Sequence, residues 1–266
     1  MSAGLVPGDA DARWKASADQ IERTHHAVRS GHPELANSKD EVERRKKRLA
    51  RHHDREGIVD ADDSVWTSFF SQGLIVSQTV GRVVVSQRHM PSKPIGTGVL
   101  IAPGLMLTNN HVLPLEALPN EAAVEFAFEY DENGKEREYR THQFAPEMCW
   151  FTDEELDFTL VAVSPVDGKL PGDTYGWVPL IEETGKAIRG DALNVIHHPR
   201  GDRKRLSIRE NRMVAEDELW LRYTSDTQGP RRDADQLVGT LTHALALASP
   251  GTGQRVLSGF RGACSI

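Results

Sequence analysis

The chain has 266 residues, with 32 Lys and Arg against 39 Asp and Glu, a formal net charge of −7, and 38% hydrophobic residues. That length buries one large core or two small ones. The acidic balance argues against a general nucleic-acid binder, and no stretch reaches the roughly 18 apolar residues of a membrane span. The first residues hold no basic segment followed by an apolar one, so no signal peptide is read and a cytoplasmic location is expected. Two cysteines, Cys149 and Cys264, supply neither a disulfide framework nor a cysteine-built zinc site.

Residues 1–60 carry 12 basic and 11 acidic side chains and few large apolar ones, so the negative charge belongs to the rest of the chain. Trp14, Ala18, Ile21 and Val28 recur at helical spacing, and Gly31-His32-Pro33 breaks the pattern. A second helix is predicted over 40–55, with Val42 and Leu49 seven apart. It contains the run Arg44-Arg45-Lys46-Lys47-Arg48, which reads as a solvated face balanced by Glu41, Glu43, Asp54 and Glu56. Residues 1–60 are therefore expected to form a helical extension, open to a protein partner, ahead of a domain over 61–266.

From Trp66 onward the texture changes to short β-rich runs. Strands are predicted over 76–86, 96–102, 105–112, 124–130 and 135–142, with Pro103-Gly104 and Asp131-Glu132-Asn133-Gly134 as turns. Further strands are predicted over 156–163, 192–197, 204–208, 219–224 and 237–241. Many short strands with turn signals between them predict an all-β sandwich or a pair of barrels.

Residues 96–113 carry the first chemical landmark. They read as a β-hairpin whose second strand ends in a polar Thr108-Asn109-Asn110 stretch followed by His111. An imidazole where a strand gives way to a loop can face a cleft while its backbone stays anchored, and its ordinary pKa near neutrality suits a general base. The pattern Gly96-Thr97-Gly98 through Thr108-Asn109-Asn110-His111-Val112 resembles the histidine region of the trypsin-like (chymotrypsin-fold) serine peptidases. It is most similar to their bacterial glutamyl-endopeptidase-like branch.

That resemblance implies two packed antiparallel six-stranded β-barrels with the site between them. It implies peptide or protein substrates, no metal or organic cofactor, and a triad in the order His, Asp, Ser. The aspartate is assigned to Asp157, 46 residues after His111, in Leu156-Asp157-Phe158-Thr159-Leu160. Its implied role is to bond the histidine's other ring N–H and stabilise the imidazolium. Asp153 is a distant rival.

Downstream, Asn194-Val195-Ile196-His197-His198-Pro199-Arg200-Gly201 and Leu221-Arg222-Tyr223-Thr224-Ser225-Asp226-Thr227 are similar to two further segments of the branch. Without Cys or His partners at zinc-like spacing, the His197-His198 pair reads as a structural turn. A trypsin-like fold lacking its usual disulfides suits an intracellular bacterial member.

The pattern then fails. Where the branch places its Gly-Ser-Ser-Gly nucleophile loop, this chain reads Gln228-Gly229-Pro230-Arg231-Arg232-Asp233-Ala234-Asp235-Gln236, with no serine. Ser164, Ser207, Ser225, Ser249, Ser258 and Ser265 are all misplaced, as is Cys264, so the nucleophile is not identifiable. Residues 235–244 again resemble the strand after the nucleophile, which makes His243 a candidate contact for an acidic substrate side chain. Three readings of the gap stand: a pseudoprotease, a degenerate tail, or a reading-frame error. The last is favoured, because Pro-Arg-Arg codons can read Ser-Ser in a neighbouring frame. As written, the chain is expected to hydrolyse peptides poorly or not at all.

Overall fold

The computed structural model describes residues 15–51, 67–87, 90–115, 118, 121–154, 156–180, 187–208, 211–216 and 221–224. The chain opens with α1 (Ala18–Arg29), a single 3-10 turn at Pro33–Ala36, and α2 (Lys39–Arg51). Helix α1 ends where Gly31 takes φ +78°, with the His32 amide donating to the Ala27 carbonyl and the Gly31 amide to Val28. This is the Schellman arrangement that a glycine past the last turn permits. The Ser38 hydroxyl accepts the Glu41 amide while the Glu41 carboxylate accepts the Ser38 amide, a reciprocal cap that starts α2.

The buried side of α1 is Thr24 and Ala27, not the predicted Ala18, Ile21, Val28 stripe. The reason is its neighbour. The Thr24 hydroxyl donates to the backbone carbonyl of Val214, and the Gln20 side chain accepts the Glu216 amide, so α1 lies on a strand edge far along the chain. Arg45 of the basic run pairs with Asp191 at 3.2 Å. That run is therefore only partly the solvated face that was expected.

A helix absent from the sequence reading, α3 (Ser68–Gln78), takes the first residues of the strand predicted over 76–86. The strand β1 begins only at Val80 and runs to Gln87. It is followed by β2 (Met90–Ala102), β3 (Leu105–Thr108), β4 (Ala122–Phe126), β5 (Arg140–Gln143), β6 (Trp150–Asp153) and β7 (Phe158–Ala162). These pair antiparallel in the order β5-β4-β1-β2-β3-β7-β6. Just beyond β5 and β7, Phe144 bridges Val163, and the amides of Ala145 and Ser164 donate to Ala162 and Gln143, each at 2.8 Å. The segment from β5 to β6 thus flanks β4 at one end and β7 at the other, and six staves close into a ring.

The staves are apolar on both faces, for a physical reason. Leu100, Met106 and Val161 point to one cluster with Val83, Val124 and Phe126, while their neighbours Val99, Leu107 and Leu160 point to a second with Leu156 and Phe158. Successive side chains on a strand alternate sides, so continuous apolar runs fill a barrel interior and an outer packed layer together. Each such fully buried side chain contributes roughly 1.5–3 kcal/mol.

After a short helix α4 (Pro171–Tyr175), the second half is built from β8 (Val195–His197) paired with β9 (Arg205–Ser207), and β10 (Met213–Glu216) paired with β11 (Leu221–Tyr223). The predicted strand over 237–241 lies outside the described residues, as do residues 225–236. Cys149, in the turn between β5 and β6, is buried and disulfide-bonded. Among the described residues no helix is long and apolar enough to cross a membrane.

Candidate active site

His111 and Asp157 are brought together by the pairing of β3 with β7. Their register sets Thr108 opposite Thr159, so the residues just after β3 face those just before β7. Beyond Thr108 the chain turns at once, with the amides of Val112 and Leu113 both donating to the Asn109 carbonyl. This turn shortens the predicted strand over 105–112 and lifts His111 onto the rim. Thr159 anchors the far side of the turn by donating its hydroxyl to the Leu113 carbonyl at 2.9 Å.

Nδ1 of His111 lies 3.1 Å from both carboxylate oxygens of Asp157, and the His111 amide donates to Oδ1 at 3.0 Å. The Asp157 side chain is 11% exposed and that of His111 37%. A carboxylate facing Nδ1 selects the tautomer with its proton there and leaves Nε2 as the acceptor. An imidazole held this way can take a proton from a nucleophile and keep the resulting charge next to the carboxylate.

Two asparagines that the sequence reading left without a role complete the arrangement. The Asn109 amide donates to the Asp157 backbone carbonyl at 3.1 Å and to Oδ2 at 3.0 Å. Asn110 donates to the Thr152 hydroxyl at 2.8 Å, and that hydroxyl lies 2.6 Å from the Thr159 hydroxyl. The signal for both was present in the polar Thr-Asn-Asn triplet at the end of an otherwise apolar strand. Asp153, the rival to Asp157, instead accepts the Leu156 amide through Oδ1 and caps the turn leading into Asp157.

Glycine opens the approach to His111. A Cβ on Gly96 would collide with the Val112 side chain, next in sequence to the histidine. Thr97, between the two motif glycines, accepts the His198 amide on its hydroxyl at 3.2 Å, so two separately read segments meet at the seam between the halves. His198 is buried, and its ring is pushed down to a pKa of about 2 by burial and by the nearby charges of Lys204 and Arg82. It is neutral at any working pH. Arg82 itself pairs with Glu125 and lies over the Phe128 ring at 3.2 Å. His197 faces the Ser207 hydroxyl at 3.3 Å within the β8–β9 hairpin.

No described serine is hydrogen-bonded to His111. His243 and the region where the nucleophile loop is expected lie outside the described residues. Among the described residues no group of three or more His, Cys, Asp or Glu could hold a metal. Of the pair read as a structural turn, His197 ends β8 and only His198 leads into the turn at Pro199–Gly201.

Residues 96–252 match the family model of the trypsin-like peptidase domain. That span runs past Gln228, where the serine motif is missing. Among curated proteins, the chain is similar to the uncharacterized protein y4fB of Sinorhizobium fredii, with 34% identity over 183 residues. The match covers 65% of this chain and 28% of that protein, so the chain spans little more than a quarter of that relative's length. Among solved structures it is similar to the active form of the Rv3671c protease of M. tuberculosis. There the TM-score is 0.35 and the identity 15%, over 60% of this chain and 62% of that one.

Proposed function

This chain belongs to the trypsin-like peptidase domain family, and from that premise we propose that His111 and Asp157 are the general base and its orienter in an endopeptidase site whose nucleophile is missing from the polypeptide as written. The observation that carries the reading is the Asp157 carboxylate facing His111 Nδ1 with both oxygens while also accepting the His111 amide.

In a complete site His111 Nε2 would take the hydroxyl proton of a serine as it attacks the peptide carbonyl. It would then return that proton to the leaving amine, with Asp157 stabilising the imidazolium in between. The acyl-enzyme would be cleared by water through the same base. Protein or peptide chains are the substrates that such a domain takes. Here the base has no serine to act on in the segment 228–236. Loss of the nucleophile alone removes most of a triad's rate enhancement, since the three residues act as a unit.

A second reading has its own support. The family match continues through the serine-less segment to residue 252, and among the described residues His111 and Asp157 meet with no serine bonded to them. A cleft of this kind can bind peptide without cutting it, which makes the chain a pseudoprotease binding module. Hydrolysis of a mixed peptide library by the purified chain tests the inactivity that both readings share. A rate no higher than that of His111→Ala supports a chain inactive as written. A rate a hundredfold above that variant overturns it. The coding DNA around codons 225–245 decides the origin of the gap, a Gly-x-Ser-Gly in another frame marking a frame error.

A further inference from the structure

We propose that Asn109 is a positioning residue for the His111–Asp157 pair, holding Asp157 through its backbone and its carboxylate at once. The proposal rests on reading those two residues as base and orienter.

Asp157 has φ +49°, a left-handed conformation in a residue that carries a Cβ. Such a conformation persists only where its surroundings hold it. The Asp157 amide donates to the Glu154 carbonyl at 3.3 Å, but its own carbonyl points at the Asn109 side chain. The Asn109 amide nitrogen carries two hydrogens and meets two acceptors, the Asp157 carbonyl and Oδ2. The orientation of that side-chain amide is settled by chemistry, since the flipped form would set an oxygen against two oxygens.

Asn109 is 3% exposed, so no bulk water replaces these bonds. Its own carbonyl meanwhile accepts the amides of Val112 and Leu113 and so forms the turn that carries His111. One residue therefore fixes the base through its backbone and the orienter through its side chain. Without its side-chain donors, the Asp157 carbonyl loses its partner and Oδ2 loses one of its two. Among the described residues, the carboxylate then keeps only the His111 amide and ring to define its plane.

The test uses the imidazole Nδ1–H proton of His111 in the isolated chain, observed far downfield by proton NMR and assigned by its loss in His111→Ala. Asn109→Ala is expected to speed exchange of that proton with solvent by about tenfold or more, the equivalent of one ordinary hydrogen bond. Asn109→Ser, which keeps a single donor, is expected to fall between. Asn109→Asp preserves the volume while replacing the amide, and is expected to behave like the alanine variant. The proposal is overturned if the alanine and aspartate variants both keep the parent exchange rate. If Asn109→Ala does not fold, the serine and aspartate variants decide on the same criterion. A resonance that is insensitive to Asp157→Asn would instead overturn the base-pair reading itself, so the two failures are told apart.

Discussion

Arg189, on the loop ahead of β8, grips Glu41 at the start of α2, one guanidinium nitrogen lying 3.1 and 3.2 Å from its two carboxylate oxygens across 148 residues of sequence. The same guanidinium reaches Glu216 of β10 at 3.1 Å and the Ala36 carbonyl at 2.9 Å, while the Arg189 amide donates to the Asn37 side chain. This side chain, 13% exposed, thus joins the bonds of Thr24, Gln20 and Arg45 in fastening the N-terminal helices to the second half. Arg189→Met is expected to destabilise the chain by about 2–4 kcal/mol. Removing one member of a buried ion pair strands its partners, and the part-exposed Glu216 moderates the loss. Chemical denaturation measures it, and protease cleavage of residues 15–51 is expected to accelerate in the variant.

Glu216 gives this junction a pH dependence. Burial pushes its carboxyl up to about 7, the hydrogen bond and the charge of Glu41 add to the rise, and Arg189 opposes it. Between the ordinary value of 4.5 and about 7 the folded state holds a proton that the unfolded state releases. Glu216 therefore favours folding at low pH, and that contribution is lost as pH rises through 7. Denaturation midpoints should fall between pH 5 and pH 8 in the parent and fall less in Glu216→Gln. Equal slopes in the two would contradict the assignment.

His198 acts with the opposite sign. Its ring stays neutral in the folded chain down to about 2, whereas in the unfolded chain it protonates near 6.5. The unfolded state thus binds the extra proton, and stability falls as pH drops below about 6.5. His198→Phe should flatten the acid limb of the stability profile. An unchanged limb would mean that other groups set it.

Gly96→Ala tests the link between packing and the base. The added methyl meets the Val112 side chain, which must shift and take the His111 turn with it. Overpacking of this kind costs typically 1–3 kcal/mol. The expected result is a destabilised chain whose His111 Nδ1–H resonance moves, both effects being relieved by adding Val112→Ala. A lack of rescue would place the strain elsewhere.

The His111 segment was legible because its chemistry is local: two glycines, a turn and a polar triplet at the end of an apolar strand. Asp157 was found because β7 begins at the next residue. The long-range bonds were not legible. Nothing in the spacing of Asn37, Glu41 or Arg45 says that their partners are Arg189 and Asp191, so the helices read as a free extension. The same limit hid the stripe on α1, where Thr24 is buried because it donates to the carbonyl of Val214. The start of β1 was misplaced because Val76 is apolar and β-branched. Helix α3 claims it, since one short apolar run suits a helix end and a strand equally. Asn109 was visible as a residue but not as a clamp, because its role depends on the left-handed turn at Asp157.

In the proposed reading, His111 and Asp157 are a base and its orienter with no serine for them to activate in the polypeptide as written. A fluorophosphonate probe, which reacts covalently with an activated serine, tests it most directly. No labelling of the parent beyond that of His111→Ala is expected. Stoichiometric labelling of the parent that His111→Ala abolishes would contradict it, and mapping the labelled residue would name the nucleophile.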